Sequence, residues 1–337
     1  MKTYKHLFEQ LITKENFEIA YNDAIKGKKQ QRQVINFGKN KEENLEAVRQ
    51  SVINQTFTTS AYYLRKIHEP KERTIYILPF KPDRVVQHAV VNILQPIMLK
   101  KFINLTYACI PGRGQLQASQ YAMNCARRKR YALKCDIRKF YPSINHNILS
   151  KMLHRIIQDE RFMAVVDNII YSIPGETNCP IGNYLSQWLG NFYLSALDNF
   201  VKHTLHCKDY VRYCDDFILF DNSKTLLHEW RKQIETFLKT ELELEYSKAD
   251  VFHIKQGVDF VGYREFGKYI LVRKSTAKRI KRSIRTIPKL QERNISEETI
   301  RGKVASINGI LKHANTHRLQ DKLNFQTIQE EYMRGIK

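Results

Sequence analysis

The tetrapeptide Tyr213-Cys214-Asp215-Asp216 sits between Val211-Arg212 and the apolar run Phe217-Ile218-Leu219-Phe220. Two short hydrophobic segments around an acidic break predict two strands joined by a tight turn. A solvated turn whose aspartates bond their own backbone is one reading. The other is a functional one, because adjacent carboxylates repel unless a cation sits on them. On that reading the turn closes an antiparallel hairpin, and a second strand must bring a further carboxylate to the same place. Asp136 is the candidate: it closes the strand predicted from Tyr131 to Ile137 and precedes Ile137-Arg138-Lys139-Phe140-Tyr141. Two divalent cations held between such carboxylates can activate a hydroxyl and stabilise a leaving phosphate. All-oxygen ligands suit magnesium.

Charge narrows the partner. The 337 residues include 56 Lys and Arg against 34 Asp and Glu, a formal net charge of +22. Self-repulsion on that scale fits a polyanionic partner, whose counterions Lys and Arg displace. A ribosome-associated protein would fit the charge equally well. An acidic membrane surface ranks lower, since no basic amphipathic helix shows the aromatic and leucine face such binding uses. The six cysteines contain no Cys-x-x-Cys pair, so neither a zinc site nor a disulfide framework is expected. No apolar run reaches membrane-spanning length, and none behind Met1 is long enough for a signal peptide, so no leader is expected. The expectation is a soluble, cytoplasmic protein with no membrane partner.

Periodicity predicts helices over residues 1–60, and the alternating segment 61–80, which ends in Thr74-Ile75-Tyr76-Ile77-Leu78-Pro79, reads as a strand. A helix is expected from Pro82-Asp83, with Val86, Ala89, Val90 and Ile93 on one face and Pro96 closing it. Leu185, Trp188, Leu189, Phe192 and Ala196 mark another helix, and residues 227–245 a third. Strands are expected at 258–263 and 269–272. Beyond Arg273 the chain reads as helical and basic, with Lys274, Lys278, Arg282, Arg285 and Lys289 on one face and Ala277, Ile280, Ile284 and Ile287 on another. Such a face suits a duplex backbone. Strands interleaved with helices without a regular βαβ rhythm predict an α+β fold on an antiparallel sheet.

In order along the chain, these segments resemble the reverse transcriptases. Arg73-Thr74-Ile75 and Asp83-Arg84-Val85-Val86-Gln87 are similar to fingers motifs, Asp136 through Tyr141 to motif A, and Tyr213-Cys214-Asp215-Asp216 to motif C. Gly257-Val258-Asp259-Phe260-Val261-Gly262-Tyr263 resembles the primer-grip hairpin, and Leu311-Lys312-His313-Ala314-Asn315-Thr316 falls where a thumb would. The resemblance implies a right-hand polymerase: a helical extension at 1–60, fingers at 61–130 with a contribution near 155–180, a palm with an antiparallel sheet at 131–263, and a basic helical thumb at 264–337. It implies that Asp136, the backbone of Ile137, Asp215 and Asp216 hold two Mg2+ ions, with Mn2+ as a possible substitute. Lys71 and Arg73 would grip the phosphates of a deoxynucleoside triphosphate. Tyr141 would exclude a 2′-hydroxyl, and Ile181, Gly182, Ser186 and Gln187 would line the nucleotide site. Lys248 resembles a motif D proton donor. Phe260 and Gly262 would meet the primer, and Lys274, Lys278, Arg282 and Arg285 the RNA/DNA duplex.

One departure is specific. Where most of the family has Gln-Gly-x-x-x-Ser-Pro, this chain has Ile181-Gly182-Asn183-Tyr184-Leu185-Ser186-Gln187. That version resembles the enzymes of diversity-generating retroelements, which copy a template RNA with errors opposite adenine and work with a small basic oligomeric accessory protein. A Gln can sense geometry through a hydrogen bond and an Ile can only pack, which lowers discrimination. The alternatives are a reverse transcriptase of the group II or phage-defence kind and a catalytically dead RNA-binding scaffold; the three aspartates count against the scaffold. No Gly-x-Ser-x-Gly or His-Glu-x-x-His motif supports a hydrolase.

Overall fold

The computed structural model describes residues 3–68, 72–292 and 295–333. In chain order the helices and strands are α1 (Leu7–Leu11), α2 (Lys14–Ala24), α3 (Arg32–Lys39), α4 (Lys41–Ile53), β1 (Tyr63–Ile67), β2 (Arg73–Ile77), α5 (Val85–Leu99), α6 (Gln115–Arg128), β3 (Tyr131–Ile137), α7 (Phe140–Ser143), α8 (His146–His154), α9 (Glu160–Ile170) and α10 (Tyr184–Asn199). There follow β4 (Asp209–Tyr213), β5 (Asp216–Asp221), α11 (Lys224–Glu241), β6 (Tyr246–His253), β7 (Val258–Phe260), β8 (Tyr263–Glu265), β9 (Ile270–Val272), α12 (Lys274–Arg285), α13 (Ile287–Glu292), α14 (Glu297–Leu311), α15 (His317–Lys322) and α16 (Phe325–Met333).

The chain divides into two compact units. The first comprises Met1–Asn104, Ile137–His206 and Lys232–Ser247. Its centre is α5, apolar nearly all round, with Val85, Val86, Ala89, Val90, Val91 and Leu94 buried. A helix with no polar face must be enclosed, and α2 and α10 enclose this one. Pro96 does not close α5 as expected. The helix runs on to Leu99 because Ile97 and Met98 are buried beyond it, which offsets the one hydrogen bond a proline forfeits. The segment 61–80 holds two strands rather than one: β1 and β2 pair antiparallel, Tyr63 opposite Ile77 and Ile67 opposite Arg73.

The second unit comprises Leu105–Asp136, Cys207–Arg231 and Lys248–Lys337. It contains most of a four-stranded sheet in the order β4-β5-β3-β6 and all of a three-stranded sheet, β7-β8-β9. The expected strand over 258–263 is two strands, broken where Val261 and Gly262 both adopt positive φ. Helix α6 covers a core of Ala118, Ala122, Ala132, Val211, Ile218, Phe220, Val258 and Phe260. A separate core gathers Ile280 and Ile284 of α12, Ile287 of α13, Ile300, Val304 and Ile307 of α14, and Phe325 of α16. The basic helix is shorter than expected. It stops at Arg285, and Lys289 belongs to α13. Pro288 accounts for the break: it has no N–H to donate to the Ile284 carbonyl and its ring crowds that carbonyl, so one helix cannot run through it. Among the described residues no helix is long and apolar enough to cross a membrane.

Candidate active site

Strands β3 and β5 pair antiparallel with Ala132 opposite Phe220, Lys134 opposite Ile218 and Asp136 opposite Asp216. Directly opposed residues share a face of the sheet. One face therefore runs from the apolar core at Ala132 and Phe220, past Lys134, to two facing carboxylates at the strand ends. The β4–β5 hairpin adds Asp215. Tyr213 pairs with Asp216, so Cys214 and Asp215 alone make the turn. Two-residue turns of this kind need positive φ at the first central residue, which glycine supplies freely. Cys214 takes φ 58° without that freedom, at about 1–3 kcal/mol.

Like charges placed opposite one another are destabilising, and the acid–base balance of the group reflects this. Burial pushes the Asp216 carboxyl up to about 6, the neighbouring charges of Asp136 and Asp215 push the same way, and the Lys134 ammonium opposes them. Lys134 Nζ stands 3.2 Å from Asp216 Oδ2, while Asp216 Oδ1 is buried without a hydrogen-bond partner. The cation thus satisfies one oxygen and leaves the other facing acidic neighbours. Those residues fit a divalent cation, whose hard charge is matched by carboxylate oxygens. Among the described residues no set of three or more His, Cys, Asp or Glu side chains makes a metal site on its own.

Behind the turn lies Arg212, fully buried. Its Nη1 donates to the carbonyl of Cys214 at 3.0 Å and its Nη2 to Thr106 Oγ1 at 3.2 Å. Sequence patterns did not single out Arg212 or Lys134. The available signal was a charged residue inside each apolar strand. Lys134 precedes Asp136 by two positions and therefore shares its face.

The β7–β8 hairpin joins the same unit through Lys134, which also donates to the carbonyl of Asp259; Asp259 in turn pairs with Arg273. Phe260 is not displayed as a primer contact. Its ring is fully buried in the core under α6, and the turn of Val261 and Gly262 is what the hairpin presents. Lys248 lies on β6, a strand the sequence did not reveal. It is exposed and pairs with Asp250 at 2.9 Å, a bond that raises its pKa. Lys274, Lys278, Arg282 and Arg285 are all exposed on α12, with Ile280 and Ile284 buried on its other side. None of these four cations has an ion-pair or side-chain hydrogen-bond partner among the described residues.

The first unit assembles the other predicted residues. Tyr76 on β2 donates its N–H to the carbonyl of Ile181 at 2.8 Å, which lays that loop along the strand opened by exposed Arg73. Gly182 is obligatory there: its φ is 114°, and a Cβ would stand 2.8 Å from the Tyr76 carbonyl oxygen. Ile181 is half-buried and Gln187 exposed, but Ser186 is buried and lines a small cavity with His146, Asn178 and Cys179. Ser186 therefore supports the loop from inside. The side chain of Ile137 is buried, leaving its backbone as the group available for binding. Lys139 adopts φ 43°, which turns the chain sharply after β3. Tyr141 accepts the Cys179 N–H at its carbonyl, and its ring lies against α10, where a Cβ at Gly190 would come within 3.0 Å. Lys71 lies outside the described residues.

The sequence family described as reverse transcriptase (RNA-dependent DNA polymerase) matches residues 65–264. Protein YkfC of Escherichia coli (strain K12) is 25% identical over 269 residues, covering 65% of this chain and 68% of that protein. Nuclear intron maturase 4, mitochondrial, of Arabidopsis thaliana is 23% identical over 163 residues, covering 46% of this chain and 20% of the maturase. Among solved structures, telomerase from Candida albicans, in complex with a fragment of telomeric RNA, superposes with a TM-score of 0.53 at 12% identity, covering 84% of this chain and 58% of that one. The fold is that of the right-hand polymerases.

Proposed function

The chain belongs to the reverse transcriptase family of RNA-directed DNA polymerases, and from that premise we propose that it copies an RNA template into DNA with Asp136 and Asp215 holding two divalent metal ions. The observation that carries this reading is the unpartnered Asp216 oxygen in a group of three repelling carboxylates. Reverse transcriptases generally use divalent metals. Magnesium binds through one or two carboxylates and substrate phosphates rather than through a complete protein cage, so a site with two ligating carboxylates suits it. Manganese could substitute. When bound, two such ions activate the primer 3′-hydroxyl and neutralise the departing pyrophosphate.

The remaining roles follow from the side chains. Asp136 and Asp215 supply carboxylate oxygens and the Ile137 carbonyl a neutral one. Asp216, already engaged by Lys134, orients the group. Arg73 and Lys71 take the triphosphate, the Arg with two bonds and the Lys as a point charge. Tyr141 limits the space at the sugar, and Ile181 and Gly182 pack on the incoming nucleotide beside Gln187. Lys248 offers a proton to the leaving group, with Asp250 keeping it protonated. Gly262 and its turn, supported by Phe260, meet the primer. Lys274, Lys278, Arg282 and Arg285 hold the duplex by its phosphates, without reading sequence. On this reading residues 61–130 and 155–180 are fingers, 131–263 palm and 264–337 thumb.

The finer assignment is to the diversity-generating kind, with an error-prone copy of one template RNA and a small basic accessory protein as partner. Ile181 in place of Gln is the residue on which it rests. The test is deoxynucleotide incorporation with Mg2+ on a primed RNA template, with products sequenced. Wild type should extend and Asp215→Ala should not. Errors should concentrate opposite adenine and fall in Ile181→Gln. Unchanged fidelity in Ile181→Gln rejects the finer reading and leaves the polymerase; equal extension by wild type and Asp215→Ala rejects the metal assignment.

A further inference from the structure

We infer that Arg212 is a positioning residue: by holding the carbonyl of Cys214, it selects which of two turn conformations presents Asp215. The inference rests on the proposed metal-binding role of Asp215 for its functional consequence, but not for its structural content.

Arg212 lies opposite Phe217 in the β4–β5 pairing, one step before the Tyr213 and Asp216 pair that closes the hairpin. Hydrogen-bonding direction alternates along an antiparallel strand, so the backbone N–H and carbonyl of Arg212 face away from β5. The N–H donates to the carbonyl of Leu105 and the carbonyl accepts from the N–H of Tyr107, both at 3.0 Å. Thr106, between those two, is fully buried; its carbonyl accepts from Arg113 Nη1 at 2.9 Å. The base of Arg212 and the receptor for its Nη2 therefore belong to one fixed frame. From that frame the guanidinium reaches two residues forward to Cys214.

The bonded atom is decisive. Two-residue hairpin turns come in two forms, I′ with both central residues at positive φ and II′ with only the first. They interconvert by rotation of the central peptide, here the one joining Cys214 to Asp215. Cys214 has φ 58° and Asp215 is not among the residues of positive φ, the II′ arrangement. The carbonyl of that same peptide is the one Arg212 holds. Release it and the peptide can rotate, which redirects the Cα–Cβ bond of Asp215. Lysine at 212 would keep the charge but lose the planar fork that reaches both Cys214 and Thr106. Glycine at 214 would favour II′ without help, since that turn accepts Gly at its first central position.

The test uses the full chain as wild type, Arg212→Lys, Arg212→Lys with Cys214→Gly, and Asp215→Ala. Three quantities are read: hydrogen exchange in the peptide spanning 210–218, Mn2+ binding by electron paramagnetic resonance, and the Mg2+ requirement set against the KM for nucleotide. In Arg212→Lys, exchange should rise locally, and both the Mn2+ dissociation constant and the half-saturating Mg2+ should rise about tenfold, the worth of one lost charged hydrogen bond. The nucleotide KM should stay within about twofold. Cys214→Gly should restore most of each loss. Wild-type exchange in Arg212→Lys overturns the inference. So does a loss that Cys214→Gly leaves unrepaired and that spreads over the whole chain with a matching fall in Tm. If Asp215→Ala binds Mn2+ like wild type, the metal reading fails, and the exchange data alone still decide whether Arg212 holds the turn.

Discussion

Two hairpins of the second unit share a skeleton and differ in their company. The β4–β5 pair turns through Cys214 and Asp215, the β7–β8 pair through Val261 and Gly262. Each places a non-glycine residue at positive φ, Cys214 at 58° and Val261 at 40°. Each has a turn carbonyl tied down, by the Arg212 side chain in the first and by the backbone N–H of Arg273 in the second. Each also carries a carboxyl with one buried, unpartnered oxygen, on half-buried Asp216 in the first and fully buried Glu265 in the second. Around Asp216 stand two further carboxylates and a lysine. Around Glu265 there is one hydroxyl, Ser119 Oγ at 2.6 Å, and burial pushes its carboxyl up to about 8. Glu265 escapes its burial by staying protonated, whereas Asp216 is kept among charges that a cation can balance. A buried carboxyl alone is a packing solution; a group of half-buried carboxylates at one end of a sheet is a candidate site.

That contrast can be broken in three ways. The largest effect belongs to Glu265. Its folded pKa of about 8 lies above its ordinary 4.5. The stability it contributes is full below pH 4.5 and is lost as pH rises toward 8, on the order of a few kcal/mol. Denaturant unfolding of Glu265→Gln against pH should show that slope removed, with the variant relatively more stable at pH 8 and above. An unchanged slope would mean that Glu265 is charged at neutral pH. Next is Asp216→Asn. Removing one of three repelling carboxylates should leave Tm equal or higher, while incorporation falls by roughly 10–100-fold, as when a group that orients a ligand is lost. Incorporation equal to wild type would make Asp216 as structural as Glu265. The smallest effect is Gly262→Ala. Its φ of 92° strains any side chain, although nothing lies within 4 Å of the added Cβ. Tm should drop by about 2–4 °C, with single-nucleotide incorporation within about twofold. A large kinetic loss at constant Tm would instead show that the primer lies close enough to Gly262 for one added methyl to displace it.

Much of this is legible in the sequence itself. The acidic turn, the strand ending at Asp136 and the helices built on Val86 and Trp188 all announce themselves through periodicity strong enough to survive any packing. What escaped did so for identifiable reasons. Strand β6 reads Tyr246-Ser247-Lys248-Ala249-Asp250-Val251-Phe252-His253, and as an edge strand it buries too little to alternate cleanly. The split between α12 and α13 was hidden because Ile284 and Ile287 keep helical spacing across it, although Pro288 was a visible warning. Arg212 and Lys134 were hidden differently. A charged residue in a strand looks like surface until three-dimensional contacts show what it holds. Phe260 and Ser186 erred the other way, being motif residues that the fold turns inward.

Asp136 is the proposed metal ligand that β3 brings opposite Asp216, and polymerisation should depend on it. The direct measurement is the single-turnover rate of Asp136→Asn with Mg2+ on a primed RNA template, with Tm recorded on the same preparation. The account predicts incorporation reduced by about 10³-fold or more, equivalent to roughly 4 kcal/mol of lost transition-state stabilisation, while Tm is unchanged or raised because the charge facing Asp216 is gone. Incorporation near the wild-type rate, at any Tm, would contradict it.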